Sequence, residues 1–145
     1  MFKHILVPVD GSETAQKAVE NAAGLAKAFS SAVTVIYVID PYPFTGLGSD
    51  FAYGQAEYLS AATAEAEQAI QAAKQALEQV GLTPQSKVVE EHATWRGILE
   101  AAKTTGADLI VMGSHGRHGL EKIVLGSVAQ RVLSHSHLPV FVVRD

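Results

Sequence analysis

The chain has 145 residues, 48% of them hydrophobic and 18% charged, which suits one domain spanning 1–145 and excludes a disordered polymer. Eleven Lys and Arg against 15 Asp and Glu give a net charge of −4, which argues against a broad electrostatic grip on nucleic acid. The absence of cysteine removes disulfides, thiolate metal sites and thiol nucleophiles, and no apolar run approaches the roughly 18 residues that span a membrane.

His4 to Val9 is a short apolar run rich in β-branched residues, too short for a signal peptide and closed at once by the turn residues Asp10-Gly11-Ser12. A cytoplasmic protein is expected. From Ala15 the apolar period becomes helical, through Ala18, Val19, Ala22, Leu25, Ala26 and Phe29, with Ser12 as the cap. Ala32 to Ile39 predicts a second strand. A loop rich in Pro, Gly and aromatics is expected from Asp40 to about Gly54, and its aromatics, Tyr42 to Tyr58, are expected to cover an apolar patch of the protein itself. Ala56 to Val80 predicts a long helix, Ser86 to Glu91 a more polar strand, and Thr94 to Gly106 a helix capped by Thr94 in which Trp95 packs. Asp108 to Met112, Ser127 to Ser134 and Pro139 to Val143 complete the series as strand, helix and strand. Strands and helices alternate without a hairpin signal, which predicts an α/β domain with a parallel sheet and helices on both faces.

In such sheets ligands sit beyond the carboxyl ends of the strands. Two strand ends carry unusual chemistry. The first is Pro8-Val9-Asp10-Gly11-Ser12. The second is the stretch from Gly113 to Ser127, which holds four glycines and two histidines. Glycines there allow a freely turning backbone whose N–H groups cradle an anion, and the helix that opens at Gly126-Ser127 offers free N–H groups and a positive dipole end to phosphate. Arg117 stands where a cation meets a phosphate. The bland alternatives are turn glycines, a capping Ser127 and a helix-start Asp10. His115, His118, His135 and His137 have no acidic companion in their loops besides Glu121, so a contact from His115 to a ligand is favoured over a zinc site.

The spacing Gly113-x2-Gly116-x9-Gly126-Ser127 resembles the glycine motif of the ATP-binding universal stress proteins. ILVPVDGSE, VIYVID, ADLIVMGSHGR, LGSVAQRVL and PVFVVRD extend the resemblance over the whole chain. It implies a five-stranded sheet in the order 3-2-1-4-5, the adenine nucleotide alpha hydrolase-like arrangement. It also implies binding of ATP, ADP or AMP, with Mg²⁺ brought in by the phosphates. By position, Pro8, Val9 and Asp10 then lie near the nucleotide, the backbone of Val38 meets adenine, and Gly113, Ser114, His115, Gly116, Gly126, Ser127 and Val128 form the ribose and phosphate loop. The last strand, an apolar edge, pairs with its equivalent in a homodimer through residues 138–144. A stress-response sensor or regulator with an unidentified protein partner is the function implied. The alternatives are a slow ATPase, an autophosphorylating phosphotransferase with Ser114 or Ser127 as acceptor, and a nucleotide-free dimeric interaction module. A phosphoacceptor receiver domain is disfavoured, because Asp10 stands alone and the third strand ends in Glu90-Glu91-His92.

Overall fold

The computed structural model describes residues 1–41, 49–116 and 125–144, with side chains omitted for 49–53. Its elements alternate as expected: β1 (His4–Pro8), α1 (Glu13–Phe29), β2 (Ala32–Ile39), α2 (Ser49–Gln79), β3 (Gln85–Glu90), α3 (Thr94–Thr105), β4 (Leu109–Gly113), α4 (Ser127–His135) and β5 (Val140–Val143). The five strands form one sheet in the order β3-β2-β1-β4-β5, and every neighbouring pair is parallel.

The central strands read as continuous apolar runs because both of their faces are covered. Ile5, Val7, Val33, Val35, Leu109 and Val111 point into a core shared with α1 and α2. The alternate residues Leu6, Ile36, Ile110 and Met112 point into a second core with α3 and α4. β1 sits in the middle, and its Ile5, Leu6 and Val7 have no exposed surface.

Caps set the helix entries. Ser12 Oγ accepts from the Ala15 N–H at 3.1 Å and starts α1 as expected. Thr94, expected as a cap, and Ser127, for which capping was the bland alternative, are not caps. α3 is capped by Ala93 and α4 by Gly126, so Thr94 and Ser127 are the first helical residues and neither helix has a side-chain cap bond. α2 begins at Ser49, well before the expected Ala56. Gly54 within it costs only about 1 kcal/mol relative to Ala, and the long run of helix formers that follows outweighs it. Phe29, expected on the buried stripe of α1, is 40% exposed and meets Phe2 edge-on with centroids 5.5 Å apart.

At the opposite end of the sheet from the carboxyl strand ends, Asp108 ties β1 to β4. Its carboxylate accepts from the His4 N–H at 3.0 Å and from the Lys3 N–H at 2.8 Å. The His4 N–H is the main cause holding this carboxyl below its ordinary value; partial burial opposes it and the Lys3 N–H adds to the lowering. A depressed folded-state value means that the stabilisation is fully present above the unfolded carboxyl range, near 3.9, and is lost as pH falls through the folded value. Asp108→Ala is therefore expected to cost about 1 kcal/mol at neutral pH, with the deficit shrinking below about pH 4. Urea melts of both proteins at pH 7 and pH 3 check this, and an equal deficit at both contradicts it.

Candidate functional site

β1 leads through α1 to β2 on one side, and its other neighbour β4 leads through α4 to β5 on the other, so the connections after these two adjacent strands diverge. The crevice that opens at such a switch point is the usual ligand position of an open α/β sheet. Here it is a cavity of about 910 Å³, within the range of small-molecule and cofactor sites.

The cavity brings together residues distant in sequence. Pro8 ends β1 and Val9 and Asp10 follow it, Val38 lies in β2, Gly113 ends β4 and Ser114 to Gly116 follow it, and Gly126, Ser127 and Val128 open α4; all line it. Arg117 lies outside the described residues, as do His118, Glu121, Tyr42, Phe44 and Gly46 to Gly48.

Val38 owes its role to strand register. The Ile39 carbonyl accepts from the Glu91 N–H at 2.9 Å, so the Ile39 peptide groups face β3. Alternation turns the backbone N–H and C=O of Val38 the other way, toward β1. The last bond on that side runs from the Val9 N–H to the Ile36 carbonyl at 2.8 Å. β1 ends at Pro8, and beyond it the Val38 backbone faces the cavity.

The motif glycines are explained by close packing rather than by freedom to turn. None of Gly113, Gly116 and Gly126 adopts a positive φ; among the described glycines that conformation belongs to Gly11, Gly81 and Gly106. A Cβ at Gly113 would lie 2.7 Å from Thr14 Cγ2 and 3.1 Å from the Thr14 carbonyl carbon. One at Gly116 would lie 2.8 Å from Asp10 Oδ2, and one at Gly126 would lie 3.0 Å from the Ser114 carbonyl oxygen. Gly126 N–H also donates to that carbonyl at 2.8 Å, and Ser114 N–H donates to the Val143 carbonyl at 2.8 Å. The Gly126 contacts fasten the start of α4 to the end of β4, and the Ser114 bond ties that end to β5.

Asp10 is both a helix-start acid and a residue of the cavity wall. Its Oδ1 accepts from the Ser12 N–H at 2.9 Å and turns the chain into α1, while the residue also walls the cavity. At the opposite wall α4 has no side-chain cap bond and no acidic residue in its first turn. Its first N–H groups and positive dipole end suit an anion. Ser114, 2% exposed, pairs its Oγ with His115 Nδ1 at 3.0 Å. His115 Nε2 is buried and has no hydrogen-bond partner among the described residues. Ser127 is the more accessible of the two serines.

The cavity also includes residues that the sequence did not single out for a ligand. Asp40 follows β2 as Asp10 follows β1, and the strand-end rule points to it equally; it pairs with His92 at 3.2 Å. Tyr58 and Glu65 arrive from α2, and Thr94 and Ile98 from α3. Tyr58, the last of the aromatics expected to cover an apolar patch, is carried by α2 into the cavity wall instead. Elsewhere, His135 stacks on Trp95 with centroids 4.4 Å apart and pairs its Nδ1 with the Arg131 carbonyl at 2.9 Å. Among the described residues no group of three or more His, Asp or Glu is placed to hold a metal ion, and no helix is long and apolar enough to cross a membrane.

The model of the universal stress protein family matches residues 1–144. A universal stress protein of Methanocaldococcus jannaschii is 39% identical over 145 residues, covering 99% of this chain and 83% of the relative. A second universal stress protein of that archaeon is 31% identical over 156 residues, covering 99% and 96%. Its solved structure matches with a TM-score of 0.86 at 32% identity, over 100% of this chain and 97% of that one. The universal stress protein of Archaeoglobus fulgidus, solved in complex with dAMP, shares the fold at a TM-score of 0.67 and 21% identity, over 97% and 96% of the two chains. The chain belongs to the universal stress protein family.

Proposed function

We propose that this universal stress protein binds an adenine nucleotide (ATP, ADP or AMP) in the cavity at the strand ends and acts in the cytoplasm as a stress-response sensor or regulator. The observation that carries this reading is one cavity bordered both by the outward-facing Val38 backbone and by the uncapped N-terminus of α4. The Val38 N–H and C=O complement the N1 acceptor and N6 donor of adenine. Pro8, Val9 and Asp10 border the ribose. Gly113, Ser114, His115, Gly116, Gly126, Ser127 and Val128 border the ribose and phosphates, with Arg117 as a phosphate cation. Mg²⁺ would come in with the phosphates and be held through them, since the motif residues include one carboxylate, Asp10, and the described residues build no metal site of their own. The relative solved with dAMP supports the same ligand class.

A regulator is favoured over a rapid enzyme because Asp10 is the one carboxylate among the motif residues, and its Oδ1 is already used to turn the chain into α1. The exposed Ser127 at the cavity edge supports slow autophosphorylation as a second reading. Residues 138–144 are proposed as the homodimer surface: β5 is an edge strand, and its Phe141 is 42% exposed. The protein partner of such a dimer is a matter for capture experiments.

Competition against a fluorescent ATP analogue tests the base assignment. ATP, ADP and AMP are expected to displace it, while GTP is weaker by tenfold or more, on the order expected when buried polar groups are left unpaired. Equal displacement by GTP contradicts adenine recognition at Val38.

A further inference from the structure

Gly97 lies buried in the first turn of α3, although glycine is the least favourable helix residue after proline. It does not adopt a positive φ, so backbone conformation does not call for it. Space does. A Cβ at this position would lie 2.9 Å from Val38 Cγ1, 3.2 Å from Val38 Cγ2 and 3.2 Å from Glu91 Cβ. Both valine methyls face the same point, and a β-branched χ1 is stiff, so turning one methyl away brings little relief. Glu91 closes the other side. The displacement passes either to the β2 backbone at Val38 or to the first turn of α3, and Val38, Thr94 and Ile98 all border the cavity.

We propose that Gly97 is a positioning residue for the base end of the cavity: by letting α3 lie directly against Val38, it sets where the Val38 N–H and C=O meet the edge of adenine. The inference rests on the adenine-nucleotide reading above. It divides the control of the site between two glycines, Gly97 for the base and Gly126 for the phosphates.

The test is the affinity for adenosine and for ATP of the wild type, Gly97→Ala and the double variant Gly97→Ala/Val38→Ala, each first shown to be folded by circular dichroism. Gly97→Ala is expected to weaken adenosine and ATP by the same factor, about tenfold, because only the shared base contact moves. The double variant removes the methyls that the new Cβ meets while keeping the Val38 backbone groups, and it is expected to recover most of the adenosine affinity. A role in stability alone would leave adenosine affinity unchanged in folded Gly97→Ala. Wild-type adenosine affinity in that variant overturns the inference alone, and so does a loss that the second substitution fails to recover. A wild type that binds no adenosine overturns the adenine reading, and the inference falls with it.

Discussion

Gly126→Ala is expected to weaken ATP binding by tenfold or more, in the range where one misplaced contact region changes affinity by about 1.4 kcal/mol or above. The new Cβ would stand 3.0 Å from the Ser114 carbonyl oxygen and 3.4 Å from His115 Cα, and both are backbone atoms that cannot swing aside. The start of α4 must therefore move away from the end of β4. That motion displaces the N–H groups proposed to meet the phosphates and strains the Gly126 N–H to Ser114 carbonyl bond. Adenosine, which carries no phosphate, is expected to lose much less. Titrations of both ligands into the folded variant separate these effects, and an unchanged ATP affinity contradicts the placement of the phosphates.

The largest stability effect is expected at Leu6. This residue lies on the central strand with no exposed surface, in the cluster that holds Ile36, Ile98 and Ile110. Leu6→Ala removes buried methyl groups from a place walled by two neighbouring strands and α3, where collapse around the cavity is limited. A loss of about 3–4 kcal/mol is expected, which corresponds to a fall in Tm of roughly 10 °C for a chain of this length. Val88→Ala, on the edge strand β3 and 39% exposed in the wild type, is expected to stay within about 1 kcal/mol. Paired denaturant melts check the contrast, and similar losses at the two positions contradict this account of the core.

The alternation of strands and helices was legible from local signals, whereas the strand order and the grouping of the motif residues came with the family likeness. Apolar runs ended in turn residues, helical periods lay between them, and the spacing from Gly113 to Ser127 carried the family likeness. What the glycines do was less legible. A glycine in a sequence does not distinguish a turning backbone from a close approach, and the Thr14 contact at Gly113 exists only because α1 crosses the end of β4. The place of Gly97 is illegible for the same reason, since its neighbour Val38 is 59 positions away by their numbering and meets it only in the folded chain. Tyr58 and Glu65 depend on the path of α2 across the cavity, which periodicity does not encode. Asp40 is legible in the sequence, because like Asp10 it lies just beyond the carboxyl end of a strand.

The most direct measurement is a calorimetric titration of ATP into the full chain, stripped of any nucleotide carried through purification and shown to be folded. Saturable binding at one site per chain, with ATP displaced by AMP, is the result this account predicts. A folded protein that gives no binding signal for ATP, ADP or AMP contradicts it and leaves the nucleotide-free dimeric module as the better description.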